Sequence, residues 1–381
     1  MQATATRGGK GGAPAADAPR PMRPFRVGVQ SVDEIDYDDT RATTVSTQDL
    51  PVLNIPPAGW LRGLYIIMIG TTAGNAAAVT FAANGPWNAI DSVTFEDVNT
   101  QPIIGPLNGY DLYVLCKFGG YTFSEDPRNS VSFSVTTGAG ATGGSFQFIL
   151  RVPIELVNRD ALGVLPNKSG TAQYKLRIRL AATATIYGVA PTAAPSVRTR
   201  VQQVNWWDPD ATDLHGNPIA QEPPSRQTTQ YWTKAPFSLN AGQIRQPLER
   251  TGFLIRNLIF MLQDSTLART DADFPDPFAL QFESNILISR VRLLWQHIMS
   301  QQYGYTGTAD AAGALSTGVF VEPFCLDFGA RPGQETRRGY LETSAASRLE
   351  AQGTIGGAGA HTLTVLTNDV NPSTSYADLT A

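Results

Sequence analysis

The stretch FQFILRVPIEL, residues 146–156, decides the fold class. Phe146, Phe148, Leu150, Val152, Ile154 and Leu156 occupy alternate positions, and Gln147, Arg151 and Glu155 fall between them. A period of two turns the apolar set to one face of an extended chain and the polar set to the other, as in a half-buried strand. Pro153 has no amide hydrogen to give to a neighbour, so it implies a sheet edge or a bulge. Residues 174–180 repeat the pattern, with Tyr174, Leu176, Ile178 and Leu180 alternating with Lys175, Arg177 and Arg179. Outward from these two, strands are expected at 60–69, 76–82, 89–96, 131–136 and 197–206, with a short helix at 111–117. Strands are expected again at 252–262, 279–282, 287–295, 319–328 and 362–366, with one or two helical turns at 296–302. In the third of these Val291, Leu293 and Trp295 alternate with Arg290 and Arg292.

Composition agrees with a β-rich chain. The 381 residues include 35 glycines and 26 prolines, which argues against long helices, and 9% aromatics, which argues against wholesale disorder. The length suits two or three domains and a core that needs no disulfides. Only 16% of residues are charged and the net charge is −4, so no sequence-specific nucleic-acid partner is expected. Five lysines stand against twenty-four arginines, a bias that protein interfaces and a GC-rich genome explain equally. Cys116 and Cys325 are too few and too far apart for a disulfide framework or a metal site. Residues 1–26 lack the apolar core of a signal peptide, and the longest apolar run, 64–69, is too short for a bilayer. The chain is therefore expected to be made and to fold in a cytoplasm.

Residues 1–26 are rich in Gly, Ala and Pro and cannot bury enough to offset their ordering entropy. They read as a flexible basic arm, with Arg7, Lys10, Arg20, Arg23 and Arg26 against Asp17. Asp33, Glu34, Asp36, Asp38 and Asp39 follow as an acidic patch, read as a solvated stretch or as a partner for a neighbouring subunit's arm. Residues 208–227 are rich in Asp and Pro and mark a boundary. The expected plan is an arm (1–26), a first sandwich (27–207), a linker (208–227), a second sandwich (228–372) and a C-terminal tail (373–381). Each half has a strand ending in a bulky residue (90–95, 288–295), an aromatic-glycine turn (118–122, 303–306) and a long strand carrying a proline (146–156, 319–328). This succession implies two similar β-sandwiches in tandem.

No catalytic motif stands in the context its chemistry needs. Gly138, Gly140 and Gly143 match a dinucleotide-binding turn, but the turn leads into a strand instead of a helix and reads as a hairpin. His215, His297 and His361 have no second ligand at metal spacing and no evident nucleophile, and read as ordinary core or surface histidines. Asp208, Asp210 and Asp213 near His215 and Asn217 lack the glycine and closing glutamate of a calcium loop. Glu96-Asp97, a conceivable glycosidase pair, reads as a turn with Asn99. Asn167-Lys-Ser169 is a chance glycosylation sequon without a secretory signal. The Arg7-Gly-Gly-Lys10 segment lacks the aromatics of a single-strand-binding repeat. Trp206-Trp207 reads as the end of a core strand, with sugar stacking as the alternative. No enzyme activity and no cofactor are expected.

The ordered segments resemble a known family. GPWNAIDSVTFED (85–97) is a strand closed by an acidic turn, FILRVPI (148–154) carries a Val-Pro, and DALGVLPNK (160–168) leads to the basic alternating strand 174–180. This succession resembles that of the double jelly-roll major capsid proteins of tailless, membrane-containing, tectivirus-like bacteriophages. The resemblance implies an all-β fold of two tandem eight-stranded jelly-roll sandwiches with short helices in loops. It also implies a homotrimer that forms a pseudo-hexagonal tile with neighbouring capsomers, in an icosahedral shell around an internal membrane and double-stranded DNA. Minor capsid or vertex (penton) proteins would be further partners, and localisation would be the virion, assembled in the host bacterial cytoplasm. On this reading Arg7, Lys10, Arg20, Arg23 and Arg26 are inner-face contacts to membrane lipids or partner proteins. The rival expectations are a carbohydrate-binding or adhesive sandwich such as a phage fibre or receptor-binding protein, and a sandwich glycosidase.

Overall fold

The computed structural model describes residues 25, 29–120, 126–157, 161–207, 212, 228–269, 271–303, 317–325 and 339–371. Most of the arm, the linker apart from Thr212, the later parts of both aromatic-glycine turns, Asp160, residues 326–328 and the tail lie outside the described residues.

The first half runs β1 (Ser31–Ala42), β2 (Gln48–Asp49), β3 (Leu53–Asn54), β4 (Trp60–Thr71), β5 (Asn75–Phe81), β6 (Ile90–Glu96) and β7 (Pro102–Leu107). Helix α1 (Gly109–Phe118) follows, then β8 (Ser134–Val135), β9 (Gly138–Gly140), β10 (Phe146–Pro153), β11 (Leu165–Pro166) and β12 (Lys175–Leu180). A single-turn helix α2 (Thr183–Ile186), β13 (Tyr187–Val189) and β14 (Ser196–Trp206) complete it. One sheet has the order β1-β14-β4-β10-β8, and the facing one β2/β3-β12-β6-β7. Both bury the faces that alternation predicts. In β10 Phe146, Phe148, Leu150 and Val152 are buried, and in β12 Leu176, Ile178 and Leu180. Pro153 ends β10 opposite Gly63, where no strand among the described residues pairs with the far side, so the missing amide costs no ladder bond. The strand stops there. Glu155, expected on the polar face, is buried instead, with its Oε1 accepting from Trp206 Nε1 at 2.7 Å.

The second half runs β15 (Gln230–Leu248), β16 (Leu254–Asp264), β17 (Phe278–Phe282), β18 (Asn285–Arg290), helix α3 (Arg292–Tyr303), β19 (Val319–Pro323), β20 (Leu341–Glu342) and β21 (Leu349–Val370). β15 and β21 are long enough to serve both sheets. Residues 230–240 of β15 pair with 360–370 of β21, which pairs with β16, which pairs with β19. Past a bulge at Asn240/Gly242, residues 242–248 pair with 349–355, whose outer neighbour is β17 and then β18. The two orders, β15-β21-β16-β19 and β15-β21-β17-β18, reproduce β1-β14-β4-β10 and β2/β3-β12-β6-β7. The repeat is therefore one of topology. α1 precedes β10 as α3 precedes β19, and both of those strands end in proline, at Pro153 and Pro323.

Each sandwich is filled around one tryptophan. Trp87 stacks on Tyr113 and Phe133, with ring centroids at 4.6 and 5.3 Å, and Phe148 lies 4.8 Å away. Trp295 sits among Phe278, Phe320, Phe274 and Phe260 at 5.1 to 6.1 Å. Such aromatic pairs contribute about 0.5–1.5 kcal/mol each beyond the area they bury.

Several expectations fail for identifiable reasons. The stretch 287–295 does not stay extended. Helix α3 begins at Arg292, because Trp295 and Met299, four residues apart, together reach the core. The acidic patch is not irregular, although Asp33, Glu34 and Asp38 stay exposed. It forms β1 along β14, where Arg198 Nε and Nη2 grip Asp38 at 2.7 and 2.5 Å and Arg200 lies 3.3 Å from it. The expected strand 131–136 shrinks to two residues, and the expected strand 362–366 falls in the second half of a 22-residue strand.

Candidate assembly interfaces

Three surfaces have the chemistry of contacts. The first joins the sandwiches. β7 and β15 meet in parallel at Ile104 and Trp232, so the two facing sheets become one continuous sheet from β18 to β2. α1 is wedged at this junction. Its first turn closes a capping box, in which Asp111 N donates to Asn108 Oδ1 at 2.8 Å and Asn108 N to Asp111 Oδ2 at 3.0 Å. Lys234 on β15 reaches the same Asp111 Oδ2 at 2.5 Å. Burial pushes the Asp111 carboxyl above its ordinary value, against the pull of Lys234. At the helix's other end two carbonyls need donors. Arg256 Nη1 donates to Gly119 O at 2.7 Å, and Asn257 Nδ2 to Phe118 O at 3.1 Å. The guanidinium, fully buried on β16, therefore also meets the negative end of the helix dipole. Gln230 Nε2 donates to Ile154 O at 3.0 Å, and Arg269 lies 4.3 Å over the Tyr110 ring. Polar groups from the second sandwich thus complete the backbone of the first.

The second surface is the foot of the first sandwich. Phe25, inside the expected arm, is buried against Trp60 at a ring distance of 5.9 Å, beside Ala161, Val164 and Trp206. Trp206 is covered by Arg62 at 3.7 Å, whose Nε bonds Glu155 at 2.8 Å. Trp207 is half exposed. Along β1, Asp36 stands at a bulge, with its Oδ2 buried and without a hydrogen-bond partner among the described residues. Burial, then the neighbouring Glu34, push its carboxyl up to about 7.

The third surface is apolar. Ile286, Leu287, Val291, Leu293 and Leu294 are 62, 42, 51, 78 and 48% exposed. Sequence reasoning missed it, since an alternating strand would have hidden half of these side chains.

The remaining candidates take structural places. Gly138 begins the short strand β9, which pairs with β5 within the loop joining the antiparallel strands β8 and β10, so the glycine motif is a hairpin loop. Asp97 Oδ1 accepts from the amides of Asn99 and Gln101 at 2.8 Å, and Glu96 Oε1 from Arg177 Nε at 2.7 Å, which makes Glu96-Asp97 a turn and an ion pair. Asn167 is buried and donates to Pro56 O at 2.6 Å, out of reach of a glycan. His361 is buried inside β21, with Nε2 3.6 Å from Asp273 Oδ2, and His297 is exposed on α3. Arg7, Lys10, Arg20, Arg23 and Arg26 lie outside the described residues, as do His215 and the aspartates beside it.

No protein-family model and no curated protein matches the sequence. Solved structures do. The MCP of STIV, the Sulfolobus Turreted Icosahedral Virus, superposes with a TM-score of 0.60 over 92% of this chain and 99% of that one, at 13% identity. The PBCV-1 virus capsid chain gives 0.55 over 93% and 96%, at 10% identity. The chain is a double jelly roll. The major capsid protein of bacteriophage PM2 matches with a TM-score of 0.51 over 91% of this chain and 100% of that one, at 9% identity. The double jelly roll occupies nearly the whole length in each case. At these identities the likeness is one of fold, carried by strand order and size.

Proposed function

We propose that the chain is a viral major capsid protein, which forms pseudo-hexagonal homotrimers that tile an icosahedral shell around an internal membrane and double-stranded DNA. The observation that carries the reading is the pair of like sandwiches joined flank to flank over nearly the full length of viral coat proteins. A low charged fraction of 16% suits a subunit whose flanks are covered by neighbours. The solved structures that the chain resembles are capsid proteins, which supports a structural role. The domain plan of arm, sandwich, linker and sandwich is part of the proposal, as are neighbouring capsomers and vertex proteins as partners, and assembly in a bacterial cytoplasm. Arg7, Lys10, Arg20, Arg23 and Arg26 act at the inner face. Each basic residue near an anionic leaflet contributes about 1 kcal/mol, so together they hold an arm that none would hold alone. Size-exclusion chromatography with light scattering tests the reading. It expects a species of three times 41.0 kDa that goes on to larger assemblies, and a stable monomer at all concentrations contradicts it.

A further inference from the structure

We propose that the exposed apolar stretch running from β18 into α3 is the seat of a second copy of this chain, covered there by the free β1 edge of that copy's first sandwich. The proposal rests on the coat-protein reading and names the surfaces through which its ring closes.

The grounds are internal to the molecule. Because the sandwiches share one strand order, β7 and α1 of the first correspond to β18 and α3 of the second, and the first half of β15 corresponds to β1. Within the chain β7 and α1 are covered by β15 and β16, through Ile104–Trp232, Asp111–Lys234 and Gly119–Arg256. The difference in burial follows. Nine of the ten residues of α1 are buried, against Trp295 and Met299 alone in α3. β7 buries Ile103, Ile104 and Leu107, whereas β18 leaves Ile286 and Leu287 exposed. Five large apolar side chains bare within nine residues form the kind of contiguous patch that marks a contact. The counterpart of the covering strand is equally free. β1 has no outer neighbour among the described residues, and Ile35 on it is 60% exposed.

Position selects the partner. β18 stands at one end of the continuous sheet, and β2, the strand after β1, at the other. A surface at one end that fits a different surface at the opposite end makes a heterologous contact, which closes into a ring when its rotation closes, as the trimer reading requires. Charge is largely met within each chain, since Arg290 pairs with Glu322, Arg292 lies 3.8 Å from Asp276, and Asp38 is held by Arg198 and Arg200. The repeated strand order, in which β15 covers β7 and α1, favours β1 over a second α3 as the occupant.

The experiment uses the full-length chain. In sedimentation velocity, Leu293→Asp and Leu294→Asp are expected to raise the concentration for half-assembly about 100-fold, with the monomer's thermal midpoint unchanged because both residues are exposed. A second readout does not depend on loss. Ile35→Cys and Leu287→Cys chains, co-expressed and treated with a bismaleimide, are expected to link Ile35→Cys to Leu287→Cys between copies. The native Cys116 and Cys325 are buried. Trimers unaffected by both Asp variants, or cross-links that join only like positions, overturn the proposal and leave the coat-protein reading standing. A wild-type chain that remains a monomer overturns both.

Discussion

Replacing Gly109 by Ala separates local propensity from packing at the junction between the sandwiches. By propensity alone Ala in a helix is better than Gly by up to about 1 kcal/mol. Gly109 opens α1 and has no left-handed φ to lose, so nothing local opposes the change. Packing does. A Cβ at Gly109 lands on the carbonyl oxygen of Trp87, 2.8 Å from its carbon and 3.1 Å from Ile90 Cβ. That carbonyl accepts the Ile90 amide, and the Trp87 ring is stacked between Tyr113 and Phe133, so the obstacle is backbone held from both sides. Overpacking costs about 1–3 kcal/mol, and a rigid obstacle places this case at the upper end. The net expectation is a loss of about 2 kcal/mol, read as a lower urea midpoint at constant slope. Gly170→Ala, with nothing within 4 Å of the new Cβ, is the reference and is expected to stay within about 0.5 kcal/mol of wild type. Gly138→Ala also meets open space but has φ +94°, and isolates backbone strain of about 1 kcal/mol. A Gly109→Ala protein as stable as Gly170→Ala refutes the wedging of α1. Because a displaced α1 withdraws Asp111 and Gly119 from Lys234 and Arg256, the same variant is expected to form fewer trimers.

Arg256→Met removes the donor to Gly119 O and Asn368 Oδ1, and at about 1–3 kcal/mol per stranded acceptor it is expected to cost about 3 kcal/mol and to split one calorimetric transition into two. Asp36 has a folded pKa of about 7 against an ordinary 3.8, so folding takes up a proton. The stability this gives is fully present below about pH 4 and is lost as pH rises through 7; Asp36→Asn is expected to flatten that decline in melting temperature, and an unchanged profile contradicts it. Deleting residues 2–24, which keeps Phe25 in its pocket, is expected to leave trimers intact and to reduce cosedimentation with anionic vesicles at low salt; binding equal to wild type contradicts the arm's role. Phe25→Ala frees the root of the arm, and is expected to make the segment before residue 29 a faster target for protease than in wild type.

The legible parts of the fold were those where burial is one-sided. β10 and β12 each pack one face inward, so Phe146 to Val152 and Leu176 to Leu180 display their period directly. β15 displays none. It buries Gln230, Trp232, Ile244 and Leu248 among nineteen residues and includes Pro236, Gly242 and Pro247, because its pairing with β21 does more to hold it than a continuous apolar face. β1 looked solvated for a related reason, since Asp38 is held by Arg198 and Arg200 on β14, which are distant in sequence. In 287–295 two periods compete over a short run, and Trp295 with Met299 decides for the helix only once Phe260, Phe278 and Phe320 surround the indole. The junction was illegible for the same reason. Asp111, Lys234 and Arg256 are unremarkable in sequence and acquire a role when the sandwiches lie side by side. The topological repeat left only a faint sequence trace, in the prolines that end β10 and β19 and the aromatics Phe118 and Tyr303 that close the two helices and meet at 5.2 Å.

Electron cryo-microscopy of the purified full-length chain reaches the central claim at once. A coat subunit with this plan gives end-on averages of trimers with six lobes at near-hexagonal spacing, first and second sandwiches alternating around the ring. Two-lobed single chains at every concentration, or assemblies in which like sandwiches meet across a twofold axis, contradict it.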